Sequence, residues 1–320
     1  MRATSTKQKP AFSAIAADVL AGLTSRPKSL PPWLFYDAAG SELFERITQL
    51  PEYYLTRTEA AILRGNCSLI NRAAGFPGNV VELGAGTACK TRILLESLVR
   101  ARGSATYFPV DVSESALAKA ADQLRDLPGL TVHPLVADYT ESMEFLAHVP
   151  APRLVMYIGS SIGNFEPLHA ALLLSRLRAR MAAMDSLLLG ADMSKNVDVL
   201  VRAYDDAAGV TAEFNRNLLM RINRELDADF DPELFAHVAR WNHAQSRIEM
   251  HLESERAQEV TVRAIDLHVR FKSGETIHTE NSYKFTPVMV NSVLRNGGLV
   301  RECSFYDSRR WFGLHLARPA

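Results

Sequence analysis

NVVELGAGT, residues 79–87, decides how the rest of the chain is read. Val80, Val81 and Leu83 give the short apolar run that a buried strand needs, and a glycine turn follows at once. Gly84 and Gly86 let the backbone turn tightly and approach a ligand. Thr91 to Arg100 then carries Ile93, Leu94, Leu98 and Val99 at helical spacing. Strand, glycine turn and helix make the unit from which parallel sheets are wound. A dinucleotide fingerprint would put a third glycine at position 89, where this chain has Cys89. A lone GxG is weak on its own, since a tight packing turn produces the same pattern.

The unit repeats downstream. TYFPVD (106–111) reads as a second strand, and Ser113 is placed to cap a helix that turns Leu117, Ala120 and Leu124 inward. LTVHPLVAD (130–138), RLVMYIGS (153–160) and SLLLGADM (186–193) read as the third, fourth and fifth strands. Strands alternating with helices predict a parallel sheet covered on both faces. Near the end, Thr286 and Pro287 suit an N-cap and first helical residue, and Gly297-Gly298 suits the stop. GLVRECSFYD (298–307) and WFGLHLA (311–317) then close the chain as two strands. A final antiparallel hairpin added to five parallel strands is the class I methyltransferase pattern and not the dehydrogenase one.

Between these pieces the pattern breaks. Val197 to Asp229 is mostly helical. FAHVARWN (235–242), RIEMHLES (247–254), EVTVRAIDLHVRF (259–271) and HTENSYKF (278–285) follow as closely spaced strand-like runs. In RIEMHLES, Ile248, Met250 and Leu252 alternate with Arg247, Glu249, His251 and Glu253, as a half-buried strand should. The expected fold is α/β, a Rossmann-like seven-stranded class I methyltransferase sheet with an inserted α+β substrate-binding domain. Residues 61–192 and 286–320 are expected to bind the cofactor. Residues 1–60 and 193–285 are expected to form the discontinuous substrate side. At the N-terminus, MRATSTKQKP is basic and the next stretch is apolar. Asp18 interrupts that run and no small-residue cleavage site follows. Phe12, Ile15, Val19 and Leu20 predict an amphipathic helix instead of a signal peptide.

Composition narrows the function. Lys+Arg and Asp+Glu are equal at 36 each, so no basic excess exists to neutralise nucleic-acid phosphates. Cys67, Cys89 and Cys303 form no CxxC pair, and the histidines show no HExxH spacing. No disulfide framework and no metal site are expected, which fits a reducing cytoplasm. No run is apolar enough to span a membrane. The absence of a coiled coil or an exposed apolar helix leads us to expect a monomer.

Three successive strand ends carry polar groups. Glu82 and the glycines end the first strand and Asp111 the second, on the order of 20 residues on, where an acid grips ribose hydroxyls. Asp138 ends the third, within reach of an adenine edge. Carboxylates here would repel a pyrophosphate and attract a sulfonium, so S-adenosylmethionine suits the set. MYIGSSIGNFEP (156–167) offers Gly159, Gly163 and Asn164 with open backbone groups at the fourth strand end; a glycine-rich turn capping a helix at Asn164 or Pro167 is the rival reading. HTENSYKF would set Thr279, Asn281, Tyr283 and Phe285 on one face, and His278, Glu280, Ser282 and Lys284 on the other. That second face is wholly polar. Either it lies in water or Glu280 and Ser282 point at a ligand.

Several stretches together carry a resemblance: LPPWLFYDAAGSELFERITQLPEYYLTRTEAAIL, VELGAGTACKTRILL, PVDVSESAL, YIGSSIGNFEP, LLGADMSKN, RAYDDAAGVTAEFNRNLLMRINRELDADF, RIEMHL and HTENSYKF. With them the chain resembles the histidine-specific N-alpha-methyltransferases of ergothioneine biosynthesis over nearly its whole length. Ala88 and Cys89, after the glycine loop, depart from the family's usual residues. The resemblance implies S-adenosylmethionine as cofactor, leaving as S-adenosylhomocysteine, and free histidine as substrate. It implies three methyl transfers to the alpha-amino nitrogen, giving hercynine. It places Tyr53 and Asn164 near the amino and carboxylate groups, Gly159 beside the amino nitrogen, and Tyr204 on the carboxylate. These are the expected catalytic and substrate contacts, with Glu280 and Ser282 on the imidazole and Met250 lining its pocket. Tyr36, Gly84, Gly86, Lys90, Asp111 and Asp138 are implied on the cofactor side. The alternatives are a methyltransferase for another amino acid such as tryptophan, a nicotinamide oxidoreductase, and a noncatalytic adenosylmethionine-binding module. An indole has one donor and no acceptor, which fits Glu280 with Ser282 poorly.

Overall fold

The structure, a computed structural model, describes residues 11–320, with side chains from residue 14 onward. The basic stretch MRATSTKQKP and the side chain of Phe12 lie outside the described residues. The chain divides into two compact units. The larger holds residues 50–200, 242–247 and 281–320; the smaller holds residues up to 49, 201–241 and 248–280.

The larger unit is built on one sheet. Asn79–Leu83 lies at its centre, parallel to Ala105–Asp111 on one side and Arg153–Tyr157 on the other. Ser186–Asp192 continues the parallel set beyond Arg153–Tyr157. Phe312–Pro319 then pairs antiparallel to Ser186–Asp192, and Leu299–Tyr306 closes that edge as a hairpin. This is the class I methyltransferase arrangement expected from the closing strands. The third strand departs from expectation. It is two short pieces, Leu130–Val132 and Leu135–Val136, both parallel to Ala105–Asp111, which makes the sheet eight-stranded instead of seven. Pro134 sits in the gap and has no N–H to give the ladder. The His133 amide still reaches the Tyr107 carbonyl at 2.8 Å.

Local signals set the helices that cover the sheet. Ser113 Oγ accepts from the Ala116 amide at 3.2 Å, capping Glu114–Leu124. Thr286 Oγ1 accepts from the Met289 amide at 3.2 Å, capping Pro287–Asn296. Thr91–Arg102 ends on Gly103, which takes the left-handed conformation that suits glycine. Tyr54–Ala73 and Thr91–Arg102 bury Leu63, Ile70, Leu94 and Leu98 with Val80 and Leu154 on one face. Pro167–Arg180 and Pro287–Asn296 bury Leu173, Leu177, Val290 and Leu294 with Val81 and Val155 on the other.

In the smaller unit, Ala11–Thr24 turns Ile15, Val19 and Leu23 inward. Leu20, expected on that apolar side, is exposed, because the buried stripe runs on through Leu23. The expected helical stretch is Val197–Arg202, whose first four residues belong to the larger unit, and Val210–Leu226 in the smaller one, separated by a turn. Asp206 caps the second helix by accepting from the Val210 and Thr211 amides at 3.0 and 2.8 Å. Phe235–Asn242, Arg247–Ser254, Thr276–Tyr283 and the short Lys28–Ser29 form a four-stranded sheet. Ile248, Met250 and Leu252 alternate as buried residues, as their spacing predicts. EVTVRAIDLHVRF is not one strand. It folds into the antiparallel pair Gln258–Val262 and Leu267–Phe271, with Asp266 in the left-handed region at the turn. Among the described residues, no helix is long and apolar enough to cross a membrane, and no group of three or more His, Cys, Asp or Glu could hold a metal.

His315 is buried in the closing strand Phe312–Pro319, with Nδ1 2.8 Å from Ser304 Oγ. Burial pushes its pKa from 6.5 down to about 3. The folded protein therefore keeps this ring neutral where the unfolded chain takes up a proton. Its contribution is intact above pH 6.5 and is lost as pH falls toward 3. We expect His315→Leu to flatten the fall of the urea midpoint between pH 6.5 and 4.5, by an amount worth about 1–3 kcal/mol. Parallel curves for parent and variant would contradict this.

Candidate active site

The glycine loop is held from below. The Gly84 and Ala85 amides both bond the Val110 carbonyl, at 2.8 and 3.1 Å. Gly84, Gly86 and Ala88 all have positive φ. A Cβ at Gly86 would meet nothing within 4 Å, so this position is open. Asp111 accepts from the Gly86 amide at 3.0 Å on one oxygen and from the Ser113 amide at 2.9 Å on the other. Each oxygen has a lone pair left for a ribose hydroxyl. Asp138 accepts from the Thr140 amide and hydroxyl at 2.8 and 2.6 Å. Its neighbour Tyr139 packs its hydroxyl 3.5 Å from where a Gly84 Cβ would stand. Glu82 points inward and takes hydrogen bonds from Thr91 and Tyr107. Burial pushes it up to about 7, against the pull of those donors. Glu82 thus braces the start of the next helix.

The loop after the fourth strand is not the open array its sequence suggests. The Gly159 amide donates to Glu59 Oε1 at 2.8 Å, and the Gly163 amide donates to the Ser160 carbonyl at 2.8 Å. Both N–H groups are taken within the fold. Gly163 is needed for close approach: a Cβ there would sit 3.0 Å from the Tyr283 carbonyl oxygen. Gly159 has φ +80 and only ordinary contacts around its missing Cβ, so room remains beside it. Asn164 ends a 3-10 turn, Ser161–Asn164. It does not cap the next helix, which starts at Pro167 behind Glu166.

Two buried acids were not singled out from the sequence. Glu59, wholly buried in Tyr54–Ala73, pairs with Lys90 and holds Gly159. It joins the glycine-loop side to the fourth strand end. Asp192, also wholly buried, accepts from Tyr54 Oη at 2.7 Å and pairs with Lys195 and Lys284. Burial would raise the Asp192 carboxyl, but Lys284 and Lys195 hold it below the usual carboxylate range. Lys284 Nζ also donates to Ser282 Oγ at 2.8 Å. Tyr53 is buried immediately before Tyr54, and Arg57 donates to its carbonyl at 3.1 Å.

The remaining expected residues lie in the smaller unit. Tyr204 is buried, and its carbonyl lies 2.8 Å from His237 Nε2. Asn215 Nδ2 lies 2.8 Å from His237 Nδ1 and 3.0 Å from the His251 carbonyl. An amide nitrogen can only donate, so His237 accepts at Nδ1 and gives its Nε2 proton to Tyr204. Burial, which lowers its pKa, favours that neutral form. Met250 and Glu280 are buried, at 1% and 9% exposure. Tyr36 makes edge contacts with Phe44 and Phe214, each at 5.9 Å.

Residues 15–319 match the family described as "Histidine-specific methyltransferase, SAM-dependent". The chain belongs to that family. It is 48% identical over 308 residues to a histidine N-alpha-methyltransferase of Mycolicibacterium smegmatis, covering 96% of this chain and 95% of that one. It is also 48% identical over 308 residues to the enzyme of that name from Mycobacterium tuberculosis, covering 95% and 94%. Ergothioneine biosynthesis protein 1 of Neurospora crassa is 32% identical over 200 residues, 62% of this chain and 23% of that longer protein. The open Gly86 and the spare lone pairs of Asp111 fit the adenosylmethionine of such an enzyme.

Glu59 gives the sharpest test of this frame. Glu59→Gln keeps an acceptor for Gly159 and loses the charge pair with Lys90. Glu59→Ala loses both and leaves the part-buried Gly159 amide without this acceptor, which costs about 1–3 kcal/mol. The alanine variant should melt earlier and methylate at least about ten-fold more slowly, in line with that cost, and the glutamine variant should fall between. An alanine variant with the parent's rate would show that Glu59 does not order the site.

Proposed function

We propose that this chain methylates the alpha-amino nitrogen of free histidine three times, giving hercynine, as a step of ergothioneine biosynthesis. One observation carries the choice of substrate. Three of the four residues on the polar side of HTENSYKF are buried, Glu280 at 9% exposure, Ser282 at 4% and Lys284 at 0%, and His278 is half-buried. A solvated strand edge, the rival reading, does not bury its carboxylate. Glu280 and Ser282 stand two apart on Thr276–Tyr283 and so share a strand face. A carboxylate accepts from one ring N–H, and a hydroxyl serves the other ring nitrogen.

Gly84, Gly86, Lys90, Asp111, Asp138 and Tyr36 are the proposed cofactor contacts. Bound there, S-adenosylmethionine supplies a methyl group electrophilic enough to need no protein nucleophile or Lewis acid. The chain's own part is placement. Tyr53 and Asn164 hold the amino nitrogen with its lone pair free, and Tyr204 holds the carboxylate. Gly159, whose amide is given to Glu59, stands beside the amine through its backbone. The room beside Gly159 accommodates the methyl groups as they accumulate. The reading extends to a metal-free cytoplasmic monomer without membrane partners, and the equal Lys+Arg and Asp+Glu counts of 36 support the lack of a nucleic-acid partner.

The direct test is mass analysis of products from histidine and methyl-labelled S-adenosylmethionine. Three labels on the amino nitrogen are expected; labels on the ring, or on tryptophan in preference to histidine, would overturn the proposal. Glu280→Ala should leave S-adenosylhomocysteine affinity nearly unchanged and weaken histidine about ten-fold or more, because a charge-assisted bond contributes about 1.5–3 kcal/mol. It should also narrow the gap between histidine and tryptophan, and adding Met250→Val should narrow it further. A constant ratio of efficiencies would place the ring elsewhere.

A further inference from the structure

Ser282 has a neighbour that limits what it can offer a ligand. Its Oγ accepts a hydrogen bond from Lys284 Nζ at 2.8 Å. Lys284 is wholly buried and is itself held by Asp192 Oδ2 at 2.9 Å. The groups around this ammonium are fixed from several elements: Asp192 at the end of its strand, Tyr54 on Asp192 from the helix, and Lys195 on Asp192 from the following loop. Asp307 faces Lys195 from the closing hairpin. A lysine ammonium has donors and no acceptor. With the ammonium on one lone pair, the favoured orientation of the Ser282 hydroxyl turns its proton away from that charge.

We propose that Lys284 is a positioning residue that makes Ser282 a hydrogen-bond donor, so that this strand selects histidine with a neutral ring over its imidazolium form. This rests on the reading that Ser282 meets the imidazole. A neutral imidazole has one N–H, which Glu280 accepts, and one bare nitrogen, which the Ser282 hydroxyl serves. An imidazolium has two N–H groups and needs an acceptor on both sides. Ser282 offers one poorly while Lys284 holds it.

The first measurement uses the unaltered protein. Ring nitrogen-15 spectra of labelled histidine bound in the presence of S-adenosylhomocysteine at pH 6 should show one protonated and one bare nitrogen, below the ring's ordinary pKa of about 6.5. Two protonated nitrogens would overturn the proposal. The second compares the KM for histidine at pH 5.5 and 7.5. The parent's KM should rise roughly ten-fold at the lower pH, following ring protonation. Lys284→Met, which leaves Asp192 with Lys195 and Tyr54, should show a ratio near one, and Lys284→Arg should keep the parent's ratio. A Lys284→Met ratio equal to the parent's would overturn the role of Lys284. A Ser282→Ala variant with the parent's KM at both pH values would instead overturn the ring-reading itself.

Discussion

The Asp192 carboxylate is the interaction on which the larger unit's arrangement depends. It is wholly buried, so leaving it unpaired would cost several kcal/mol, roughly. It is instead met by Tyr54, Lys195 and Lys284, and its own amide donates to Ser160 Oγ at 2.9 Å. The Phe285 amide bonds its carbonyl at 2.8 Å. Three of these partners stand within two residues of a proposed substrate contact. Tyr54 follows Tyr53, Ser160 follows Gly159, and Lys284 is two residues from Ser282. A helix start, a strand-end loop and a strand are thereby set against one anion. Proper placement of an amine for methyl transfer needs that kind of fixing more than it needs an acid or base.

Glu59 supplies a second anchor of the same kind. It takes the Gly159 amide and the Lys90 ammonium, joining the loops after the fourth and first strands. The sheet makes room for it. A Cβ at Gly190 would lie 2.6 Å from Glu59 Oε1 and 3.0 Å from the Ile158 Cα, so this strand position must stay a glycine. Ser160, a non-glycine residue at φ 63, shows the same economy. A left-handed serine is unfavourable alone. Its hydroxyl is held by the Asp192 amide.

What could be read in the sequence was what short-range chemistry controls. The strand–glycine–helix unit, the caps at Ser113 and Thr286, and the alternation of RIEMHLES each need only a few neighbouring residues. The resemblance supplied the family. The break in the third strand is also local, since Pro134 has no N–H to give the ladder. Glu59 and Asp192 were missed for another reason. Glu59 meets Gly159 across 100 residues and Asp192 meets Tyr54 across 138, and nothing beside either acid in the chain announces those distant partners. HTENSYKF lies between these cases. Alternation revealed its all-polar face, but burial of that face depends on what packs over it, which periodicity does not encode.

The central claim is that the chain's polar groups are built around free histidine. Calorimetric titration of histidine into the purified protein, with S-adenosylhomocysteine present, tests it most directly. The account predicts saturable binding at a single site, with tryptophan binding far more weakly under the same conditions. No heat from histidine, or equal affinity for the two amino acids, would contradict it.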